Sequence, residues 1–432
     1  MPIVFAKKFV RAWILASFFL FQKVARMEGS CGGNRRRFLK AAAATGAAIA
    51  SADRLLMAAP ANEPPVPLVT LGKTGQKVSK LGMGTSWALD QSFVQAAILS
   101  GVRYIDTSES YENTKAEKVL GEVIERLLSD EEKFHLKRKD IYLVTKTNAL
   151  KKASNVSAVA EHLSASLERL RTDYVDSFYI HGISGPGIPL LSDPSVKAAF
   201  EALKKAGKIK FCGLSCHDAM LPEILEAAAK AGWIDQVMIK YNFRDVGGKD
   251  RYDDLNRAID SCVKANIGLV AMKTQGGAVN FPDKMKALAE KGFKKEVAAI
   301  KTVWMDQRMQ VVVSEMTTRS DLRENIAASK DPLTVKEARL LEEHRKATEH
   351  LYCHGCGHLC ESAAKGLPVS TVLRYYRYYE AYGKREQARA LYQALPVVSR
   401  QLIDANLLAA EAACPHGLPV ADLIKQADRR LS

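Results

Sequence analysis

Apolar runs of strand length alternate along this chain with segments whose apolar residues recur at helical spacing. Val159, Leu163, Leu167 and Leu170 show the helical pattern, because steps of three and four residues place one apolar stripe on a helix. Eight strand-like runs occur between such segments, at residues 81–86, 103–107, 141–147, 175–181, 211–215, 237–241, 268–273 and 311–316. Strands that alternate with helices at this spacing imply parallel βαβ units.

Eight such units favour a closed barrel over an open sheet, so the predicted fold is α/β, a (β/α)8 TIM barrel. The alternative is a doubly wound open sheet. No G-x-G-x-x-G pattern follows the first strand, which removes the usual dinucleotide fingerprint of that alternative. Ahead of the barrel, residues 68–81 predict a small hairpin around the turn at 72–75.

The 432 residues exceed one barrel of ~250 residues. We therefore predict three parts: a targeting segment at 1–61, a barrel at 62–335 and a small helical domain at 336–432. The net charge of +15 is uneven, because residues 1–61 contain ten Lys/Arg against two acids. The remainder is only mildly basic for its length and gives little support for nucleic-acid binding.

The N-terminal segment resembles a twin-arginine export signal. Residues 35–40 read Arg-Arg-Arg-Phe-Leu-Lys, an Ala/Gly-rich apolar run follows at 41–50, and residues 59–61 offer a small-x-small cleavage site. This order predicts export, to the periplasm, with membrane contact only through the signal. The alternative is a basic amphipathic helix at an unstructured terminus. Because a second apolar stretch at 12–21 precedes the signal, Met27 is the expected start, and a genuine short anchor at 12–21 is the alternative to that start.

Reactive side chains end successive apolar runs in the first part of the barrel. Asp106 and Tyr111 follow one run, Lys146 ends the next, and His181 ends the third. Because active sites of such barrels lie at the carboxyl ends of the strands, we expect these four side chains to meet. Lys146, held by Asp106, would make the Tyr111 phenol a better proton donor, and His181 would orient a carbonyl group.

Three of these four residues also have a purely structural interpretation. Asp106 would suit a helix N-cap, Lys146 a snorkelling lysine and His181 a hydrogen-bonded core histidine. Four of them at the ends of neighbouring strands are hard to explain by structure alone, so the catalytic interpretation is favoured.

With these residues in place, the segment 66–325 resembles the aldo-keto reductases. The motifs that carry the resemblance are Gly82-Met83-Gly84-Thr85, the segment 106–111, Lys146, His181-Gly182, Gly213-Leu214-Ser215, Gln236, Tyr241-Asn242 and Glu324-Asn325. The resemblance implies reversible hydride transfer between NADP(H), or less often NAD(H), and a small aldehyde, ketone or alcohol. It also implies that Asp106, Tyr111, Lys146 and His181 are the catalytic residues.

The resemblance further assigns a cofactor role to ten residues. Tyr241 would stack on the nicotinamide, and Ser215 and Gln236 would hold its carboxamide. Met272 and Lys273 would lie along the pyrophosphate. Thr317, Thr318, Arg319, Glu324 and Asn325 would surround the adenosine end. The preference for NADP over NAD depends on Arg319 outweighing two nearby acids, Glu315 and Asp321.

The C-terminal part contains its own group of cysteines. Cys353, Cys356 and Cys360 lie close together, and Cys414 follows far downstream in a Cys-Pro pair. A tight trio with a distant Cys-Pro resembles a ferredoxin and predicts one 4Fe–4S cluster, although the Cys356–Cys360 spacing is one residue longer than usual. Zinc, with four cysteines or with three and His354 or His358, is the alternative. Unligated thiols are the third interpretation.

Tyrosines and arginines alternate at residues 373–379. We expect a helix that packs over the cluster and the barrel, and no nucleic-acid partner. The predicted protein is thus an exported NAD(P)-dependent aldo-keto reductase with an iron–sulfur module. Two other hypotheses stay open: a redox protein that exchanges electrons with a partner protein, and a barrel that binds nucleotide without turnover.

Overall fold

The computed structural model describes residues 66–86, 90–151, 155–246, 252–278, 293–402 and 405–432. The predicted export signal at 1–61 and its Met27 start lie outside these ranges. Residues 64–432 form one compact unit. Within the described ranges, no helix combines the length and the apolar character needed to span a bilayer.

Eight parallel strands close into the predicted barrel, in the order β10-β3-β4-β5-β6-β7-β8-β9. The barrel strands are β3 (Leu81–Gly84), β4 (Tyr104–Asp106), β5 (Tyr142–Thr147), β6 (Val175–Ile180), β7 (Ile209–Cys216), β8 (Gln236–Lys240), β9 (Gly268–Met272) and β10 (Val311–Glu315). Every strand predicted from the sequence is present, with bounds that differ by one or two residues. The barrel prediction is confirmed.

The predicted hairpin is also present. Strands β1 (Leu68–Thr70) and β2 (Lys77–Ser79) pair antiparallel around a 3-10 turn at Gly72–Thr74. Gly72 has a φ of +46°, and a Cβ there would lie 2.3 Å from the backbone nitrogen of Gly268. Only glycine permits this approach of the turn to the amino end of β9.

Side chains alternate between two buried layers along each strand. The barrel interior contains aromatic and aliphatic residues such as Tyr104, Tyr142, Tyr179 and Met238. The layer between strands and helices is larger and mainly apolar, with a few buried polar contacts such as that between Thr145 and Glu117. These two layers hold the strands rigidly, so the loops at their carboxyl ends have a fixed base.

The helices that cover the barrel and the C-terminal region are α1 (Gln91–Leu99), α2 (Lys115–Leu128), α3 (Glu131–Phe134), α4 (Ala158–Leu170), α5 (Pro194–Lys205), α6 (Leu221–Ala231), α7 (Tyr252–Lys264), α8 (Lys295–Val303), α9 (Arg319–Lys330), α10 (Val335–Thr348), α11 (Gly357–Ala363), α12 (Val369–Glu380), α13 (Arg385–Gln393), α14 (Leu407–Ala412) and α15 (Val420–Leu431). Between them the structure also has 3-10 turns at Arg138–Asp140, Gly185–Leu191, Gly276–Ala278, Glu349–Leu351 and Val397–Arg400.

The C-terminal module has a core of its own, formed by apolar residues of α11 to α15. Helix α10 does not share this core, because Leu341 packs with Phe243 and Ala298 of the barrel and Leu340 packs with Phe293. Helix α10, which follows the predicted boundary at 335/336, therefore packs on the barrel and not in the core of the module. The helical character predicted for the module is observed throughout its described residues.

Candidate active site

The four predicted catalytic residues converge at the carboxyl end of the barrel. Asp106 is the last residue of β4, Lys146 is the penultimate residue of β5, and His181 directly follows β6. Lys146 Nζ lies 2.7 Å from the Asp106 carboxylate and donates to the Tyr111 hydroxyl at 3.1 Å. The rings of Tyr111 and His181 meet edge to face with centroids 5.7 Å apart. The four side chains therefore meet, as expected from their positions at the carboxyl ends of successive predicted strands.

Lys146 is held by three acceptors. Besides Asp106 and Tyr111, it donates to the backbone oxygen of Thr107 at 2.8 Å, and its side chain is 1% exposed. Burial lowers the pKa of Lys146 and raises that of Asp106, while their mutual attraction opposes both shifts. The close pair therefore keeps an ammonium group aimed at the phenol in a nearly dry site.

Tyr111 is protonated at neutral pH. Burial raises its pKa well above the ordinary value, and the charges of Asp106, Glu315 and Tyr378 raise it further. The next residues, Glu112 and Asn113, have φ angles of 47° and 52°, a left-handed turn that carries a small strain for residues with a side chain. This turn brings the phenol back from the end of β4 over Lys146.

His181 is a neutral imidazole in this site. Burial and the positive charges of Lys146, Lys151 and Lys273 lower its pKa to about 2. Its Nδ1 lies 3.0 Å from the Ser108 hydroxyl and 3.3 Å from the Ser110 hydroxyl. These two serines fix the ring through Nδ1, so Nε2 is the ring nitrogen that can face a substrate.

This pKa has a consequence for stability. Below pH 6.5 the unfolded chain binds a proton at His181 that the folded chain does not bind. The free energy of unfolding therefore falls by about 1.4 kcal/mol for each pH unit below 6.5. We expect the unfolding free energy of His181→Gln to fall less than that of the wild type between pH 7 and pH 5, by about 2 kcal/mol. Denaturant titrations at several pH values measure both slopes. If the unfolding free energies of wild type and His181→Gln change with pH in parallel down to pH 5, the imidazole is not neutral in the folded protein. Above pH 7.5 the two proteins should show the same dependence on pH.

The comparisons with known proteins agree with this geometry. The sequence model of the aldo/keto reductase family matches residues 79–346, well over half of the chain. This chain belongs to the aldo/keto reductase family. Family membership makes it an oxidoreductase, and it confirms the resemblance drawn from the strand-end motifs.

Individual aldo/keto reductase relatives are distant. L-galactose dehydrogenase of Arabidopsis thaliana is 32% identical over 162 residues, which are 35% of this chain and 48% of that protein. The uncharacterized oxidoreductase YqkF of Bacillus subtilis (strain 168) is 26% identical over 310 residues, 64% of this chain and 95% of that protein. The first match thus spans about half of its relative.

Among solved structures, the thermostable aldo-keto reductase Tm1743, in complex with the inhibitor epalrestat, is 25% identical with a TM-score of 0.51. It covers 65% of this chain and all of that chain.

Several residues expected to bind the cofactor do lie at the carboxyl end of the barrel. Ser215 is buried near the end of β7, and its hydroxyl accepts from the N–H of Gly182, next to His181. Met272 ends β9. Lys273 follows with a φ of 56°, and its Nζ donates to the Tyr378 hydroxyl at 3.2 Å. This positive group suits the pyrophosphate expected there.

Two expected cofactor contacts are corrected by the structure. Gln236 is the first residue of β8, and its amide is used inside the barrel by Tyr179, Tyr142 and Ser177. It therefore has no free group for a nicotinamide carboxamide.

The ring of Tyr241 is fully buried in the apolar layer between strands and helices, and its hydroxyl donates to Asp306 at 2.7 Å. It follows Val237 and Ile239 on the outward side of the strand, because side chains alternate. It does not offer its ring to the barrel mouth.

The residues expected at the adenosine end surround the start of α9. Thr317, Thr318 and Arg319 are exposed there, and Thr318 caps the helix in a reciprocal box with Asp321. Helix N-termini favour phosphate groups, so this end fits a 2′-phosphate. Farther along α9, Asn325 is buried and donates to the Ser314 hydroxyl, whereas Glu324 pairs with Lys294.

The four cysteines expected to hold a metal come together in the C-terminal module. Cys353, Cys356, Cys360 and Cys414 line one small cavity, and none of the four forms a disulfide. Their neighbours in the cavity are mainly apolar, including Leu373 and Val420. Four thiols around one apolar space are a donor set that fits an iron–sulfur cluster or a zinc ion.

Glu349 joins the two segments that carry these cysteines. Its carboxylate accepts from His354 Nε2 at 2.8 Å and lies 3.5 Å from His416 Nδ1, and Arg244 of the barrel pairs with its other oxygen at 3.0 Å. His354 adjoins Cys353, and the two imidazoles stack with centroids 3.8 Å apart. These contacts of Glu349 therefore anchor both cysteine segments to the barrel.

Sequence reasoning did not identify Ser108, Ser110 or Glu349 as parts of these sites. The serines lie within the motif at 106–111, which the sequence analysis already placed at the same end of the barrel as His181. That position was a signal from which their contact with His181 could have been predicted. Glu349 gave no such signal, because its three partners are distributed over more than 170 residues of sequence.

Proposed function

We propose that this aldo/keto reductase reduces a small aldehyde or ketone with NADPH, reversibly, at the site of Tyr111. The observation that carries the proposal is the chain of contacts from Asp106 through Lys146 to the Tyr111 hydroxyl beside His181. A protonated phenol next to a buried ammonium group is a proton donor whose anion is stabilised as it forms.

Bound NADPH would supply the hydride for the carbonyl carbon. Tyr111 then donates its proton to the carbonyl oxygen as negative charge develops there. Lys146, 3.1 Å from the phenol oxygen, stabilises the phenolate, and Asp106 holds Lys146 in place. The neutral His181 orients the carbonyl oxygen through Nε2. Oxidation of an alcohol uses the same groups in reverse.

NADP is favoured over NAD by the surroundings of α9. Arg319 is exposed at the start of the helix, where the backbone N–H groups add positive potential. The acid that would oppose a 2′-phosphate, Asp321, has its carboxylate engaged by the backbone N–H groups of Thr317 and Thr318. The second acid, Glu315, accepts from the Ser86 hydroxyl at 2.6 Å.

For the C-terminal module we propose one 4Fe–4S cluster held by Cys353, Cys356, Cys360 and Cys414. All four cysteines line one small, mainly apolar cavity. The tight trio with a distant Cys-Pro pair resembles a ferredoxin, which supports the cluster over the zinc alternative.

Export by the twin-arginine route remains a prediction from residues 35–61. It is consistent with a cluster that is assembled before transport, because this route carries folded proteins. A periplasmic reductase would have to carry its nucleotide with it.

The test of the catalytic proposal is NADPH and NADH oxidation by the anaerobically purified full-length protein, with a broad panel of aldehydes and ketones. We expect turnover, with kcat/KM for NADPH at least tenfold above that for NADH. Nucleotide binding without turnover would replace the proposal with a binding barrel. Turnover that needs an added electron-transfer protein would favour the partner-coupled hypothesis, and absence of nucleotide binding would reject the reductase.

A further inference from the structure

A second cavity lies where the C-terminal module meets the carboxyl end of the barrel. It is lined by His217, Lys273, Gly355, Arg374, Arg377 and Tyr378, among others. Its volume of about 70 Å³ is several times the roughly 10–15 Å³ that one water needs. The cavity therefore has room for a small ligand group.

Three cations converge on this cavity, one from the barrel and two from α12. Their hydrogen bonds go to uncharged acceptors: Lys273 to the Tyr378 hydroxyl at 3.2 Å, Arg374 to Nδ1 of His217 at 2.8 Å, and Arg377 to the backbone oxygen of Cys353 at 2.7 Å. All three side chains are half-buried, and charges that are partly removed from water are normally paired with opposite charges, because that removal is costly.

No carboxylate among the described residues forms an ion pair with these three cations. The acid in the cavity lining, Asp218, instead accepts from the backbone N–H groups of Gly185 and Met220. A fourth cation, Lys240, lies 3.5 Å from Asp245 and donates to the His354 backbone oxygen, so it is already partnered. Among the cations that line the cavity, Lys273, Arg374 and Arg377 are therefore the ones whose charge no described carboxylate balances.

Neighbouring groups feel this positive potential. The charges of Lys273 and Arg374, together with burial, lower the pKa of His217 far below its ordinary value. Against the effect of burial, Lys273, Arg374 and Arg377 also lower the pKa of the Tyr378 phenol. Burial, and to a smaller extent Arg374 and Arg377, lower the pKa of Lys273 itself, against the opposing effect of Tyr378. The three cations therefore repel one another unless an anion lies between them.

The cavity lies at the same end of the barrel as the tetrad, because Lys273 directly follows β9 and Lys146 and His181 lie at the carboxyl ends of β5 and β6. Residues of its lining also act on the reacting groups: Lys273 is one of the charges that lower the pKa of His181, and Tyr378 is one that raises the pKa of Tyr111.

We propose that Lys273, Arg374 and Arg377 bind the oxyanion of a ligand, a phosphate or a carboxylate, that is held between the barrel and the C-terminal module. The inference rests on the proposed function for the nature of the ligand. Two sources have this chemistry: the pyrophosphate of the dinucleotide, and a charged group on the carbonyl substrate. In both cases α12 completes the binding site of the barrel, so the C-terminal module takes part directly in ligand binding by the reductase.

The test is calorimetric titration of the full-length protein with NADP⁺, inorganic pyrophosphate and succinate, and does not require turnover. The variants are Arg374→Gln, Arg377→Gln and the double variant. A charge-assisted hydrogen bond contributes enough for about a tenfold loss of affinity per arginine. Arg385→Gln is the matched control, because Arg385 is exposed at the start of α13 and its guanidinium contacts the Tyr379 ring.

Weaker binding of NADP⁺ and pyrophosphate identifies the dinucleotide as the source. Weaker binding of succinate, with NADP⁺ unchanged, identifies a substrate carboxylate. Affinities within twofold of the wild type for all three probes overturn the proposal. Arg374→Lys, which retains the charge, should recover most of the affinity and so separates loss of charge from loss of fold. If wild-type protein binds pyrophosphate through these arginines but reduces no carbonyl compound, the anion site stands and the proposed function fails.

Discussion

Tyr111→Phe is expected to lower kcat for carbonyl reduction by about a thousandfold, within the range that general acid catalysis contributes. The phenol is the group that Lys146 polarises at 3.1 Å, and no other hydroxyl contacts Lys146 Nζ in the described chain. Phenylalanine keeps the ring and its edge-to-face contact with His181. The fold and the cofactor site should therefore be retained.

The measurement is single-turnover NADPH oxidation with a saturating aldehyde, beside NADP⁺ affinity by calorimetry. The affinity should change less than twofold, because the lost hydroxyl acts on the carbonyl oxygen. Tyr376→Phe is the matched control, since its hydroxyl contacts Gln426 within the C-terminal module. If Tyr111→Phe keeps more than a tenth of the wild-type kcat, another group is the proton donor.

Loss of the cluster is the second large effect that we expect. In Cys414→Ser, the iron and acid-labile sulfide contents should fall from about four of each per chain to less than one. Cys414 approaches the other three cysteines from the loop after α14, so its removal opens one side of the set. The module should then unfold at a lower temperature, because binding free energy of a metal group is also folding free energy.

The measurement is iron and sulfide analysis of anaerobically purified protein, with the unfolding transition followed by circular dichroism. Cys262→Ser is the matched control: its thiol is buried in α7 and donates to the Leu225 backbone oxygen, which a serine hydroxyl can also reach. One zinc per wild-type chain, without iron, would replace the cluster by the zinc alternative. Absence of both metals would mean that the four cysteines are not metal ligands.

Together the two experiments separate the roles of the barrel and the module. A Cys414→Ser protein that lacks the cluster but retains NADPH turnover would mean that the cluster is structural or senses redox state. A protein that loses turnover as well would link the cluster to the position of α12, through Arg377 and the backbone oxygen of Cys353.

The sequence by itself determined the barrel and the end of it at which Asp106, Lys146 and His181 lie. The eight strands, and the helical spacing between them, were recognisable from local periodicity, and parallel strands in one barrel necessarily present their carboxyl ends on one face. Asp106, Lys146 and His181 lie at or directly after such ends, so their convergence followed from local pattern alone. The four cysteines were likewise visible through their spacing.

Only the tertiary structure decided which way the remaining side chains point and what they meet. Tyr241 faces the helices and Gln236 the barrel interior, because strand phase and packing set their directions. Lys273 and the arginines of α12 are about 100 residues apart in sequence, and Glu349 meets partners from three separate segments. Such contacts depend on how the module packs against the barrel, and no local pattern of residues encodes that packing.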